Sequence, residues 1–93
     1  MKHWNIQVQG KVQGVSFRAS TKAVADLLGV KGYVINQPDG SVLIEAEGDA
    51  FALESFMEFC LEGPEHAEVT TVQHTEEDAL KGYRNFEVIK KIK

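Results

Sequence analysis

The run Gly10-Lys-Val-Gln-Gly-Val-Ser-Phe-Arg18 has the residue types of an anion site. Glycines let the backbone turn tightly and approach a ligand, successive N–H groups can converge on one negative charge, and a helix start adds partial positive charge. Arg18 supplies a planar fork of donors that matches two phosphate oxygens at once. The run lacks the Gly-Lys-Ser/Thr ending of a nucleotide P-loop and the three spaced glycines of a dinucleotide site. On spacing alone it reads equally well as a tight strand-to-helix turn closed by a solvated arginine.

Other chemistry-bearing residues fall where structure explains them. Asn36 stands just before Gln37-Pro38, where an asparagine suits a turn. His66 and His74 lie on one predicted strand, separated by about 26 Å at roughly 3.3 Å per residue, too far to share a metal. His3 has no partner at ligand spacing, and no metal site is expected. Glu76-Glu77-Asp78 reads as a solvated polar connection and Lys90-Lys91-Ile92-Lys93 as a basic chain end. Cys60 falls on the apolar stripe of a predicted helix, as a small hydrophobe.

The elements that must position these residues follow from hydropathy. Trp4, Ile6 and Val8 alternate with polar neighbours, which predicts a strand from His3 to Gly10. Phe17, Val24, Leu27 and Leu28 recur at helical spacing, so a helix starts at Arg18 and ends at a left-handed Gly29. Gly32-Tyr-Val-Ile-Asn36 is strand-rich, Gln37-Pro-Asp-Gly40 is turn chemistry, and Val42, Ile44 and Ala46 alternate with outward Leu43, Glu45 and Glu47, which together predict a hairpin. Asp49 caps a second helix with Leu53, Phe56, Met57, Cys60 and Leu61 on its apolar stripe, stopped by Gly63-Pro64. Glu68 to His74 reads as a strand, Glu76 to Gly82 as a polar connection, and Phe86 to Ile92 as a last strand. The order β-α-β-β-α-β, with an extra strand at the end, predicts an α+β fold. It is a ferredoxin-like sandwich, an antiparallel sheet with both helices on one face.

With 93 residues the chain is expected to form one domain, residues 1–93, with a real core. A net charge of −4 argues against a general nucleic-acid binder, though a local positive pocket fits within an acidic surface. The lone Cys60 forms no internal disulfide, and no targeting segment or spanning apolar run is legible. A soluble, cytoplasmic protein is expected.

Gly10 to Arg18 resembles the signature of the acylphosphatase family: glycine, a basic residue, Val-Gln-Gly-Val, any residue, an aromatic and arginine. Gly32-Tyr-Val-Ile-Asn36, followed by Asp39-Gly40 and Val42, resembles the family's second motif, and Gly63-Pro64, Ala67, Val69 and Phe86-Glu-Val88 are similar to later parts of its pattern. The resemblance implies a small enzyme, free of metal and cofactor, that hydrolyses the carboxyl-phosphate bond of acyl phosphates. It places the catalytic arginine on Arg18, the catalytic asparagine on Asn36, and the phosphate-binding loop on Gln13, Gly14, Val15, Ser16, Phe17 and Arg18.

Few residues are needed for that reaction. The leaving carboxylate has a conjugate acid of pKa about 4, so it departs without a general acid. Arginine and loop amides then need only hold the phosphoryl group, and asparagine need only place a water in line. The implied partners are a small-molecule acyl phosphate and, as product, inorganic phosphate. A monomer with no nucleic-acid or membrane partner is expected.

Two positions depart from the pattern. Lys11 stands where the family often has arginine, keeping the charge but losing the fork. Ile35 stands where a basic or polar residue is common, which removes an expected attraction of substrate from that strand. Two rival readings use the same features. A non-catalytic module would bind an anion in the same cradle without hydrolysis, and an RNA-binding sheet would need stacking aromatics and basic residues where the first strand offers only Trp4.

Overall fold

The computed structural model describes residues 1–14 and 16–90. Its elements are β1 (Lys2–Lys11), α1 (Phe17–Leu28), β2 (Lys31–Asn36), β3 (Val42–Gly48), α2 (Ala50–Glu62), β4 (Glu68–Glu77) and β5 (Phe86–Ile89). The strands stand side by side in the order β4-β1-β3-β2-β5. Period-two alternation puts Ile6 and Val8 of β1, Val34 of β2, and Val42, Ile44 and Ala46 of β3 on one face. There they pack in a single buried cluster with Phe17 and Ala25 of α1 and Leu53, Phe56 and Cys60 of α2. The expected ferredoxin-like α+β sandwich, with both helices on one face, is what forms.

The sheet is mixed, however, rather than wholly antiparallel. β4-β1, β1-β3 and β3-β2 pair antiparallel, whereas β5 runs parallel to β2, from Gly32 opposite Phe86 to Ile35 opposite Ile89. Connectivity dictates this. The chain leaves β4 at one edge and crosses to the far edge, so a returning strand must run opposite to β4, which is the direction of β2.

Several boundaries differ for equally local reasons. β4 continues through Glu76 and Glu77 because Trp4 and His3 of β1 pair with them. These acids therefore belong to a strand and not to a solvated connection. His66 precedes β4 and shares no strand with His74. β5 ends at Ile89, short of the expected Ile92, and residues 91–93 lie outside the described part. α1 begins one residue earlier than expected, at Phe17.

The helix stripes are also narrower than expected. Leu27 is 85% exposed, because two positions beyond buried Ala25 a side chain points roughly 200° round the helix. Leu61 lies on the flank of α2 at 57% exposure. Cys60 is fully buried, and burial pushes its thiol up to about 12, so it acts as an apolar group.

Candidate active site

Two tethers fix the loop between β1 and α1. The Gln13 side-chain amide donates to the carbonyls of Gln37 and Ser41, each at 2.8 Å, which ties the loop to the β2–β3 turn. That turn is itself closed by Gln37 N–H donating to the Ser41 carbonyl at 2.8 Å. Asp39 Oδ1 accepts from the Ser41 hydroxyl at 2.6 Å and the Ser41 amide at 2.9 Å, which holds its carboxyl below the ordinary range. Asn36, the last residue of β2, is thereby held in a set position relative to the loop.

The start of α1 is left open. Ser16 occupies the cap position with φ 62°, a left-handed conformation uncommon outside glycine, and its side chain makes no capping bond. Serine is among the preferred caps because its hydroxyl accepts from a first-turn amide. At Ser16 that hydroxyl does not, so among the described residues no side chain caps the first-turn N–H groups. α2 provides the opposite arrangement, with Asp49 accepting from Ala52 N–H at 2.8 Å.

Arg18 is half-buried in the first turn of α1, and its Nη1 donates to the Ile89 carbonyl of β5 at 2.9 Å. Lys22, one turn later, donates to the Phe86 carbonyl at 3.0 Å. Two cations of α1 thus clamp β5 against the helix and leave most of the five guanidinium donors of Arg18 for other work.

Of the residues expected from sequence, Gly14, Ser16, Phe17, Arg18 and Asn36 line one cavity of about 240 Å³. Gln13 is not on its wall, since its side chain serves the turn instead. Val15 lies outside the described residues. Phe17 is buried with its ring 5.9 Å from that of Phe59, so its side chain serves the core and only its backbone amide is left to meet an anion. Lys11 is exposed and off the wall, and Ile35 alternates onto the other face of β2, away from the cavity. Val12, Ala19, Val88 and Lys90 also line the cavity and were not anticipated. Val88 and Lys90 carry a signal only once β5 is known to lie beside β2.

Asn36 carries the most telling feature. Its Oδ1 is buried and, among the described residues, is the one buried side-chain polar atom without a hydrogen-bond partner. Such an orphan costs about 1–3 kcal/mol, so it calls for an explanation.

The other face of the sheet holds a polar cluster that sequence reasoning missed. His3 is fully buried, with Nδ1 2.7 Å from Glu47 Oε2 and Nε2 bonded to Glu45 Oε1. Glu77 Oε2 lies 3.7 Å from the same Nε2. The expectation that His3 lacks a partner is therefore corrected, because its partners come from β3 and β4 rather than from sequence neighbours. The connection from β4 to β5 covers the cluster, and the backbone N–H groups of Lys81, Gly82 and Tyr83 donate to Glu47.

Burial would lower the His3 pKa, but hydrogen bonds to Glu47 and Glu45 and their charges outweigh it and hold the imidazole above its ordinary value. For Glu47, burial acts upward and is outweighed by His3 and the three amides, which hold the carboxyl below its ordinary value. Ligand atoms of His3, Glu45 and Glu77 lie within 4.8 Å of one another, the spacing of a metal site. In this structure both His3 ring nitrogens are engaged by carboxylates, as an imidazolium requires.

The chain matches the acylphosphatase family model over residues 4–88. It is 51% identical over 88 residues to the acylphosphatase of Thermotoga petrophila, covering 95% of this chain and 97% of that protein. It is 48% identical over 87 residues to the acylphosphatase of Rubrobacter xylanophilus, covering 94% and 79%. Among solved structures, the crystal structure of acylphosphatase from Bacillus subtilis superposes with a TM-score of 0.93 at 39% identity, over 96% of this chain and 99% of that one.

Proposed function

Starting from the chain's membership of the acylphosphatase family, as an enzyme that hydrolyses acyl phosphates, we propose that Arg18 and Asn36 divide the catalytic work. Arg18 and the amides from Gln13 to Arg18 hold the phosphoryl group of the substrate at the open start of α1. Asn36 orients a water in line with the bond to the acyl oxygen. The water oxygen forms a bond to phosphorus as the bond from phosphorus to the acyl oxygen breaks, and the electron pair leaves on the carboxylate. The water's protons go to phosphate and solvent. The leaving group needs no proton because its conjugate acid has a pKa of about 4, and positive charge around the phosphoryl oxygens stabilises the transition state.

One observation carries this reading: the unpartnered, buried Asn36 Oδ1 in the cavity that also holds Arg18. An amide oxygen only accepts, and a phosphoryl dianion has no proton to give it. The partner that satisfies both is a water, which donates to Asn36 and points its lone pair at phosphorus. A module that merely bound anions would gain nothing from an orphaned acceptor beside them.

The remaining expectations form part of the proposal: a cytoplasmic monomer with no metal, cofactor, nucleic acid or membrane partner. The net charge of −4 supports the exclusion of nucleic acid. None of the described helices is long and apolar enough to cross a membrane. Light scattering tests the monomer, expected at 10.3 kDa.

The deciding experiment is steady-state hydrolysis of benzoyl phosphate by wild type and Arg18→Ala, in chelator, with a phosphate monoester as control. Chelator-resistant turnover that disappears in the variant and spares the monoester is expected. Phosphate binding without any turnover in wild type would replace the catalytic reading with the binding module.

A further inference from the structure

We infer that Lys90, the residue that follows β5, is a second cationic contact for the substrate's phosphoryl group, opposite the start of α1. The inference rests on the reading above, in which this cavity takes that group.

Three observations lead there. Lys90 is on the cavity wall with Arg18 and Asn36, and the described wall carries these two cations and no carboxylate, in a chain of net charge −4. A wall with that charge balance suits a dianion, since a phosphoryl group carries nearly two negative charges near neutral pH. Second, alternation along β5 puts Phe86, Val88 and Lys90 on one side, and these run from fully buried through half-buried to exposed. The side chain at the open end of that series is thus on the cavity side. Third, β5 runs parallel to β2 with Val34 opposite Val88 and Ile35 opposite Ile89. Asn36 and Lys90 are the residues that follow the last paired positions of the two strands, and both line the cavity.

The strand end that brings Lys90 is held by Arg18 itself, through the Ile89 carbonyl at 2.9 Å. Binding residue and neighbour are therefore placed by one contact. The missing basic residue at Ile35 costs the site nothing on this account, because that position faces away from the cavity and the cation arrives from the adjacent strand.

A cation that meets the phosphoryl oxygens equally in ground and transition states changes KM and leaves kcat alone. Lys90→Gln is expected to raise KM for benzoyl phosphate about tenfold and to weaken competitive inhibition by inorganic phosphate by the same factor, with kcat within about twofold. Lys90→Arg is expected to restore both constants. Lys31→Gln makes the same charge change outside the cavity and is expected to leave them at wild-type values. Unchanged KM and phosphate inhibition in Lys90→Gln would overturn the inference. A raised KM with unchanged phosphate inhibition would also overturn it, because the contact would then be to the acyl end. Calorimetric titration of inorganic phosphate into wild type and Arg18→Ala keeps the two readings apart. Equal phosphate affinity in those two proteins would refute the cavity assignment itself, whatever Lys90 does.

Discussion

The two sides of the sheet each gather polar side chains into a confined space, and they treat them in opposite ways. On the face away from the helices, both ring nitrogens of His3 meet carboxylates, and Glu47 also accepts from three backbone amides. On the helix face, the start of α1 has no side-chain cap and Asn36 Oδ1 has no donor among the described residues. A satisfied network rigidifies a fold, whereas a half-satisfied one is unfavourable unless something else completes it. The first region stabilises the protein, and in the proposed mechanism the second is completed by its substrate and a water.

The largest effect that should follow is on Arg18. Arg18→Ala is expected to lower kcat/KM for an acyl phosphate by about 10⁴-fold, in the range seen when a transition-state arginine is removed, and to abolish measurable phosphate binding. Its cost to stability should stay at about 2 kcal/mol, the net worth of one charge-assisted bond, here to the Ile89 carbonyl. Urea denaturation beside the kinetics checks both halves.

His3 inverts that pattern. His3→Ala leaves Glu45, Glu47 and Glu77 facing one another without the cation between them, and removing one partner of a buried ion pair typically costs about 3–5 kcal/mol. Turnover per folded molecule, measured well below the melting temperature, should match wild type. A drop in kcat without a drop in stability would erase the distinction between the two regions.

The distinction also bears on what could be read from the chain alone. Arg18 and the cradle were legible because Gly10 to Arg18 is a local run, in which strand end, turn and helix start follow one another in sequence. Asn36 was legible as a motif residue, but its orphaned oxygen is a property of packing. The His3 cluster was not legible. Its members come from β1, β3 and β4, and Glu45 and Glu47 alternate outward on β3, where sequence reads them as solvated. Their burial is created by the chain crossing from β4 to β5, which no local pattern announces. Lys90 reads from sequence as part of a basic chain end for the same reason, since its place depends on β5 choosing β2 as neighbour. What was lost in both cases is long-range pairing.

Asn36 provides a finer cut. Asn36→Ala is expected to reduce kcat by about 10²-fold, comparable to losing one preorganised polar group at a reacting centre, while the dissociation constant for inorganic phosphate stays within about twofold. Stability should hold or rise slightly, because the substitution removes a buried acceptor that the folded chain leaves unpaired. Phosphate affinity that fell in step with kcat would reassign Asn36 from water to phosphoryl group.

The gentlest probe is the protonation of His3, which should move one region and not the other. His3 is held above its ordinary 6.5, so its contribution to stability is complete below about pH 6.5 and is lost as pH rises through the raised folded value. Glu47 is held below its ordinary 4.5, so its contribution is present above about pH 4.5 and is lost as pH falls through the lowered folded value. The cluster therefore stabilises most between those limits, and wild-type unfolding free energy should decline on the alkaline side where most globular proteins are level. In His3→Leu the alkaline decline should vanish, because no imidazole remains to deprotonate, even though the variant is less stable throughout. Phosphate affinity should follow only the second ionisation of phosphate itself, near neutral pH, and so have the same pH dependence in wild type and His3→Leu. Urea midpoints and phosphate titrations over one pH series measure both. A pH dependence of phosphate affinity that differed between wild type and His3→Leu would mean that the crossing from β4 to β5 transmits the protonation of His3 to the cavity, and the two faces would then be one coupled system.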